Sequence, residues 1–286
     1  MTKTVLITGA KGQLAQSIKN QTNYLTDIIF IFKTSEELDI TDSKALAMHF
    51  SNNNFDYCVN CAAYTGVDKA EDEVKKAFDI NAYGSQNLAL ACKQFNTTLI
   101  HISTDFVFDG KKNKSYTEQD TPKPINTYGA SKLKGEEYIS EILTNYFIIR
   151  TSWLYSEFGH NFVKTILRLS KEKQELKIVS DQIGSPTYAG DLASLIIKIL
   201  LVDCKDYGLY HYANHGQTSW YGFASKILQL KHSTTKIKPQ TSNDFKTRAK
   251  RPKYSVLNIN KVIETFKIEI LDWEISLAQN IEKMKG

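Results

Sequence analysis

The chain carries the stretch Thr4-Val5-Leu6-Ile7-Thr8-Gly9-Ala10-Lys11-Gly12-Gln13-Leu14-Ala15, in which a short apolar strand runs into a glycine-rich turn and a helical pattern. Gly9 allows the sharp turn, Gly12 lets the backbone approach a pyrophosphate, and Ala15 permits close packing of the helix. Unpaired N–H groups at the start of that helix favour phosphate binding. A glycine turn can also serve packing alone, but in the first strand–helix unit it predicts a dinucleotide site.

Outward from this turn, β-branched runs alternate with helical patterns. The strands are predicted at Thr4–Thr8, Ile28–Phe32, Tyr57–Asn60 and Thr98–Ser103, and the helices start near Gly12 and Thr41, pass through Ala89 and follow Thr127. Such alternation is typical of βαβ units, and nearly continuous apolar strands indicate a sheet covered on both faces. The predicted fold class is α/β, a Rossmann-type doubly wound parallel sheet.

We expect a dinucleotide-binding Rossmann domain at residues 1–150 and a smaller, mainly helical substrate-binding lobe at residues 151–286. In the second part, loops rich in glycine, proline, threonine and serine separate the helical patterns. These patterns span Asn161–Glu172, Asp191–Val202, Ser219–Leu230 and Asp272–Lys285. Two β-like stretches, near 176–187 and 207–215, are expected to return to the main sheet, which makes the lobe discontinuous in sequence.

Composition narrows the choice of partners. Lysine plus arginine number 36 against 31 aspartate plus glutamate, a formal net charge of +5 over 286 residues. This excess is spread along the chain without a basic stripe, so no nucleic-acid partner is expected, while an anionic small substrate stays open. The longest apolar run, Leu192–Val202, is interrupted by Lys198 and is shorter than the roughly 20 residues of a membrane span. With no signal-peptide pattern at the N-terminus, we expect a cytoplasmic protein without a membrane partner.

A C-x-x-C spacing joins Cys58 and Cys61, which could indicate zinc or redox chemistry. No second such pair and no HExxH partner accompany it. Residues three apart in a strand point to opposite faces, so we interpret these cysteines as buried structural thiols. No metal ligand is predicted.

The residues after the second and third strands bear on the cofactor. An acidic residue after the second strand would bind the adenosine ribose hydroxyls, but the chain has Lys33-Thr34-Ser35 there. A cation and two hydroxyls suit a ribose phosphate, so NADPH is preferred over NADH, although a merely solvated Lys33 is the alternative. Further on, Asp39 and Ile40 are expected to flank the adenine. The full set predicted to bind the cofactor is Gly9, Lys11, Gly12, Gln13, Leu14, Lys33, Asp39, Ile40, Ala62, Ala63, Tyr64, Tyr128 and Lys132.

A catalytic set is predicted where the fourth strand ends. Tyr128 and Lys132 lie four residues apart, on one face of the helix that follows this strand. To reduce a carbonyl, a hydride reaches carbon while an acid protonates oxygen, and an adjacent lysine ammonium is expected to lower the pKa of the Tyr128 phenol. Thr104 would donate a hydrogen bond to the carbonyl oxygen. Taken singly, each residue could be structural.

These residues resemble those of the extended short-chain dehydrogenase/reductases and, within them, the dTDP-4-dehydrorhamnose reductase family. The resemblance is nearly end to end. It rests on segments beginning at Thr8-Gly9-Ala10-Lys11-Gly12, Glu37-Leu38-Asp39-Ile40, Asn60-Cys61-Ala62-Ala63-Tyr64, Ser103-Thr104-Asp105-Phe106, Tyr128-Gly129-Ala130-Ser131-Lys132, Arg150-Thr151-Ser152-Trp153, Asn161-Phe162-Val163, Asp181-Gln182-Ile183-Gly184-Ser185-Pro186 and Arg248-Ala249-Lys250-Arg251-Pro252. The later segments are more specific because they belong to the substrate lobe.

The resemblance implies a function and roles for residues. It implies reduction of dTDP-4-dehydro-L-rhamnose to dTDP-L-rhamnose by hydride transfer, the last step of dTDP-rhamnose biosynthesis. Thr104, Tyr128 and Lys132 would form the catalytic triad, and Asp105 and Trp153 would meet the sugar nucleotide. Members of the family can form homodimers, sometimes with Mg²⁺, so both stay open for this chain. The cations at 248–251 could meet the substrate diphosphate or form a solvated basic turn.

Single positions in the sequence bear on the alternative functions. Related dehydratases carry a glutamate after their Thr-Asp pair, whereas Phe106 follows Asp105 here and cannot transfer protons, so elimination is disfavoured. Reduction of another nucleotide-linked 4-keto-deoxysugar stays open because pocket contacts decide it. A non-catalytic role also stays open, since the regulatory β subunit of methionine adenosyltransferase has a similar fold.

Overall fold

The computed structural model describes residues 2–284, which form twelve strands and eleven α-helices. The strands are β1 Lys3–Thr8, β2 Ile28–Lys33, β3 Tyr57–Asn60, β4 Thr98–Thr104, β5 Tyr146–Thr151, β6 Leu154–Tyr155, β7 Glu175–Val179, β8 Ile183–Gly184, β9 Thr187–Tyr188, β10 Gly208–His211, β11 Thr218–Ser219 and β12 Lys236–Gln240. The helices are α1 Gln13–Thr22, α2 Ser43–Ser51, α3 Val67–Ala70, α4 Val74–Phe78, α5 Gly84–Gln94, α6 Thr127–Ile142, α7 Phe162–Glu172, α8 Ala189–Val202, α9 Trp220–Leu230, α10 Asn260–Phe266 and α11 Trp273–Lys283.

Six strands form the central sheet, in the order β10-β5-β4-β3-β1-β2, and every pairing in it is parallel. One face packs on α1 and α8 through residues such as Val5 and Ile7. The other face packs on α2, α5 and α6 through residues such as Leu6. Since successive strand residues point to opposite faces, apolar runs are what a sheet covered on both sides requires. The predicted doubly wound α/β fold is confirmed.

The strand order places a crevice beside the glycine-rich turn. The chain passes from β1 to β2 on one side and then crosses to β3 on the other. Ligands of such sheets bind beyond the carboxyl ends of the strands at this reversal. The residues after Thr8 and Asn60, which pair across β1 and β3, therefore border the crevice.

The part of the chain after residue 150 differs from its prediction in one stretch, which contains three strands. As expected for 207–215, β10 joins the central sheet beside β5. The expected return of 176–187 is wrong, because β7 pairs with β12 in a separate two-stranded sheet and β8 and β9 form other small pairings. That part has its own core, which includes Val163, Phe223 and Leu277. The predicted last helix ends at Lys283, and its expected end at Lys285 lies outside the described residues.

Between residues 2 and 284, no helix has the length and apolar character needed to cross a membrane.

Candidate active site

The glycine-rich turn has the geometry that a phosphate-binding turn needs. Gly9 has a φ of 65°, and a Cβ there would lie 2.7 Å from the Ala62 backbone nitrogen, so only glycine fits. The Gly12 N–H donates to the Gly9 carbonyl at 2.8 Å, and α1 begins directly after it. No side chain caps α1, so its first N–H groups stay available to an anion.

A cavity of about 480 Å³ opens beside this turn, within the size range of small-molecule sites. Seven of the residues predicted to bind the cofactor line it together. They are Gly9, Lys11, Gly12, Asp39, Ile40, Ala62 and Ala63. The adenine-flanking positions and the phosphate turn, which are distant in sequence, thus share one cavity.

Six other predicted cofactor residues lie outside this lining: Tyr128 and Lys132 on α6, and four others. Leu14 is 4% exposed and packs in the core between α1 and the sheet. The Gln13 side chain accepts hydrogen bonds from Ser156 and Asn161 of the C-terminal lobe at 3.0 and 2.9 Å.

Lys33 and Tyr64 are the other two. The Lys33 carbonyl accepts from the Ala10 N–H at 3.0 Å, but its side chain does not reach the cavity wall. Tyr64 is held by its backbone, whose N–H and carbonyl both bond to the Asn81 amide.

Sequence reasoning missed half of the lining. The additional residues are Ser35, Leu38, Thr41, Cys61, Lys76, Asp79 and Ile80. Lys76 and the pair Asp79 and Ile80 come from α4 and the π-helical turn after it, and no strand-end rule points to them. Ser35 and Thr41 could have been found, because both adjoin segments already assigned to the cofactor.

The predicted catalytic pair lies where α6 meets the end of β4. Asn126 caps α6 by accepting from the Gly129 N–H at 2.8 Å. Gly129 brings the helix very close to the turn after β4, because a Cβ there would lie 2.1 Å from the Phe106 carbonyl oxygen. The Tyr128 ring then packs edge-on against the Phe106 ring, with centroids 5.7 Å apart. The structure thus brings Tyr128 and Thr104 together.

Burial raises the pKa of Tyr128 to about 12, and a hydrogen bond with Thr104 only partly opposes this effect. The expected lowering of this pKa is therefore not found, because burial outweighs the effects that oppose it. The Lys132 amine instead donates to the Ile102 carbonyl at 2.6 Å and lies 3.2 Å from His101 Nε2. Burial lowers the pKa of Lys132 to about 8. Tyr128 is a protonated phenol at neutral pH and can act as an acid.

Thr104 and Asp105 present polar groups at the same strand end. The Thr104 hydroxyl donates to Asp105 Oδ1 at 3.1 Å and accepts from the Phe106 N–H at 3.2 Å. Asp105 is 2% exposed, and its Oδ2 has no partner among the described residues, nor does Oγ1 of the neighbouring Thr151. Burial raises the pKa of Asp105 to about 6. These unpaired buried atoms suit a hydroxyl-bearing ligand.

Trp153 follows β5 in a backbone conformation that bulky residues rarely adopt, with a φ of 47°. Its ring stacks on Trp220 with centroids 3.5 Å apart, and Gly184 leaves space for it. Such strain persists only where the surroundings impose it, often in a binding site.

Known proteins resemble this chain from end to end. The family described as RmlD substrate binding domain matches residues 2–285. The chain belongs to this family. It is 39% identical over 285 residues to a dTDP-4-dehydrorhamnose reductase of Aggregatibacter actinomycetemcomitans, with 96% of each chain covered.

Solved structures agree with the membership in the RmlD substrate binding domain family. A dTDP-4-dehydrorhamnose reductase from Clostridium acetobutylicum matches with a TM-score of 0.95 and 40% identity, covering 99% of this chain and 100% of that one. The reductase from Bacillus anthracis, solved in complex with NADP, matches with the same TM-score, identity and coverage. The resemblance drawn from the motifs is thus confirmed.

The structure bears on two expectations that the resemblance raised, namely the role of the cations at 248–251 and the binding of Mg²⁺. Arg251 pairs with Asp68 of α3 at 2.8 Å, and Arg248 pairs with Asp72 just after α3, so both cations are engaged by carboxylates of the N-terminal half. No group of three or more metal-ligating side chains occurs among residues 2–284, so Mg²⁺ has no support there.

Proposed function

We propose that this protein reduces dTDP-4-dehydro-L-rhamnose to dTDP-L-rhamnose with NADPH, the last step of dTDP-rhamnose biosynthesis. The observation that carries the proposal is the contact of Thr104 with a protonated Tyr128 at the carboxyl end of β4, with Lys132 one turn further along α6. The family membership and the names of the relatives support the choice of substrate.

The reaction needs an acid at the carbonyl oxygen, and Tyr128 supplies it. NADPH, when bound, supplies the hydride that adds to the substrate carbonyl carbon. The phenol proton of Tyr128 passes to the oxygen that becomes the alcohol. Thr104 turns its hydroxyl from Asp105 to that oxygen and stabilises the negative charge that develops. Asp105 and Trp153 are proposed to hold the sugar.

Lys132 stabilises the phenolate that Tyr128 leaves behind. To do so its amine would turn from the Ile102 carbonyl toward the Tyr128 hydroxyl, and it would also hold the cofactor ribose. As an ammonium it favours the ionised phenol and, through it, proton donation. Lys132 therefore belongs to both the catalytic set and the cofactor set.

The preference for NADPH is proposed to rest on Lys11 and Ser35 rather than on Lys33. Lys11 lines the cavity and pairs with Glu36 at 2.9 Å on the exposed side. Freed from Glu36, it can reach a ribose phosphate, and Ser35 lies on the same wall. The NADP complex of the Bacillus anthracis relative supports NADPH as the cofactor.

Enzymatically prepared dTDP-4-dehydro-L-rhamnose, mixed with the protein and either NADPH or NADH, tests the proposal through loss of nicotinamide absorbance. Tyr128→Phe should slow turnover by about 10²- to 10⁴-fold while cofactor binding persists. Tyr138→Phe, which removes a hydroxyl elsewhere on α6, should turn over like wild type. No oxidation with this sugar, but oxidation with another 4-keto sugar nucleotide, would reassign the substrate.

A homodimer and a cytoplasmic location complete the proposal. Light scattering of the purified protein tests the first and cell fractionation tests the second.

A further inference from the structure

A row of polar side chains crosses three buried strands beneath the site. Thr8, Asn60 and His101 are register partners on β1, β3 and β4. All three are at most 1% exposed. Interior positions of a sheet covered on both faces are normally apolar, so this row needs a reason.

The row ends at a catalytic residue. His101 Nε2 lies 3.2 Å from the Lys132 amine, and its Nδ1 lies 3.0 Å from Asn60 Nδ2. Burial, followed by the charge of Lys132, holds the pKa of His101 well below its usual range. The imidazole is therefore neutral and carries one proton, on one of its two nitrogens.

Asn60 determines which nitrogen carries this proton. Its Oδ1 accepts from the Thr8 hydroxyl at 2.7 Å and from the Ala62 N–H at 3.1 Å. The backbone N–H can only donate, so the amide oxygen faces it and the amide NH₂ faces His101. Nδ1 of His101 must accept, which leaves the proton on Nε2, directed at the Lys132 amine.

We propose that His101 is a positioning residue for the reduction, whose tautomer, set by Asn60, sets the protonation state of Lys132. A ring N–H opposes an ammonium because both are donors, and it favours a neutral amine, which can accept. The proposal rests on the proposed function for its kinetic consequence, since Lys132 is placed there as the group that stabilises the Tyr128 phenolate.

Other groups around Lys132 do not replace this effect. Cys61 faces it from the segment after β3, but burial raises the pKa of that thiol, so it is uncharged. Glu136 lies one turn further along α6 and favours the ammonium. Its carboxylate is already engaged by Arg150 of β5, at 2.6 Å. Tyr128, on the same helix face, stays protonated.

Replacing Asn60 by aspartate tests the proposal because it reverses the tautomer with little change of shape. The introduced carboxylate would still accept from Thr8 and Ala62 but would also accept from Nδ1 of His101, so the proton moves from Nε2 to Nδ1. Nε2 then accepts from the ammonium. We expect N60D to raise the titration midpoint of Lys132 by about one pH unit, a tenfold change in its protonation equilibrium.

The readout is NMR of the free protein. ¹⁵N shifts of labelled histidine identify the protonated ring nitrogen of His101, and ¹³Cε-labelled lysine reports the titration of Lys132. H101Q and K132R assign the two signals. His211→Gln, at a second fully buried histidine, controls for loss of a buried imidazole and should leave the Lys132 midpoint in place.

Combining N60D with H101Q distinguishes the effect of the His101 tautomer from direct attraction between the new carboxylate and Lys132. The increase in the Lys132 titration midpoint should largely vanish in the double variant, which lacks the imidazole. An increase equal to that of N60D alone would overturn the proposal. A wild-type His101 with its proton on Nδ1, or an N60D midpoint within about 0.3 unit of wild type, would overturn it too. Since the NMR needs no substrate, a protein that fails to reduce the sugar refutes only the proposed function. In an active protein, the basic limb of kcat/KM should move with the Lys132 midpoint.

Discussion

Gly129 is predicted to be essential for the position of Tyr128. In Gly129→Ala the new Cβ would lie 2.1 Å from the Phe106 carbonyl oxygen and 2.9 Å from its carbon. Ordinary contact needs at least 3.4 Å, so α6 and the turn after β4 must separate by roughly 1 Å. That movement pulls Tyr128 from Thr104, and a misplacement of about 1 Å can cost roughly 10²-fold in rate. We expect kcat to fall about 100-fold.

Steady-state kinetics with NADPH and the 4-keto sugar nucleotide measure the effect. The KM for NADPH should change less than kcat, because the phosphate turn lies on other elements than α6. Gly66→Ala is the matched control, since its Cβ meets nothing closer than 3.4 Å and activity should be retained. A folded Gly129→Ala protein with kcat within about threefold of wild type would refute the reasoning, because the helix would then approach the turn without needing glycine.

Three further predictions concern other parts of the site. Because burial raises the pKa of Asp105 from 3.8 to about 6, its charge destabilises the fold as pH rises through this window. In urea unfolding, the stability of Asp105→Asn relative to wild type should therefore improve by up to about 3 kcal/mol between pH 4 and pH 8, and an unchanged difference would contradict this. Trp220→Leu removes the stack on Trp153 and should raise the KM for the sugar nucleotide about two- to tenfold but not the KM for NADPH. An unaltered KM for the sugar nucleotide would show that this stack does not contribute to substrate binding. Lys11→Met should raise the KM for NADPH about tenfold and leave the KM for NADH unchanged, while Lys33→Met should change neither KM. The opposite pattern would assign the ribose phosphate to Lys33.

The sequence predicted the elements whose partners have a regular pattern. β3 has the expected bounds, Tyr57–Asn60, and α7 begins one residue after Asn161, which caps it as a helix-start residue should. The partner of β7 was missed because β12 reads Lys-Ile-Lys-Pro-Gln, with a proline and charges where a strand pattern needs apolar residues. Without a visible partner for β7, the sequence pattern alone predicts that this stretch joins the main sheet.

The site was predictable where it follows from strand ends and helix faces. Thr104 and Tyr128 meet as expected, since one ends β4 and the other opens the next helix. The contribution of Lys76 and Asp79 to the cavity wall could not be predicted. Both lie at or next to a π-helical turn, which changes the direction of the side chains in a way that no spacing rule gives. His101 did leave a signal, as a titratable residue inside an otherwise apolar strand, but its role depends on the cross-strand register.

Charge states were the part of the site that spacing could not predict. A separation of four residues places Tyr128 and Lys132 on one helix face, but it does not say where a four-carbon side chain ends, and here the amine ends at the Ile102 carbonyl. With a pKa of about 12, only about one Tyr128 in 10⁵ is ionised at pH 7. The protonated form is the one that donates to a carbonyl oxygen, whereas alcohol oxidation needs the rare phenolate as base. Burial of Tyr128 therefore keeps this residue in the form that protonates a carbonyl oxygen.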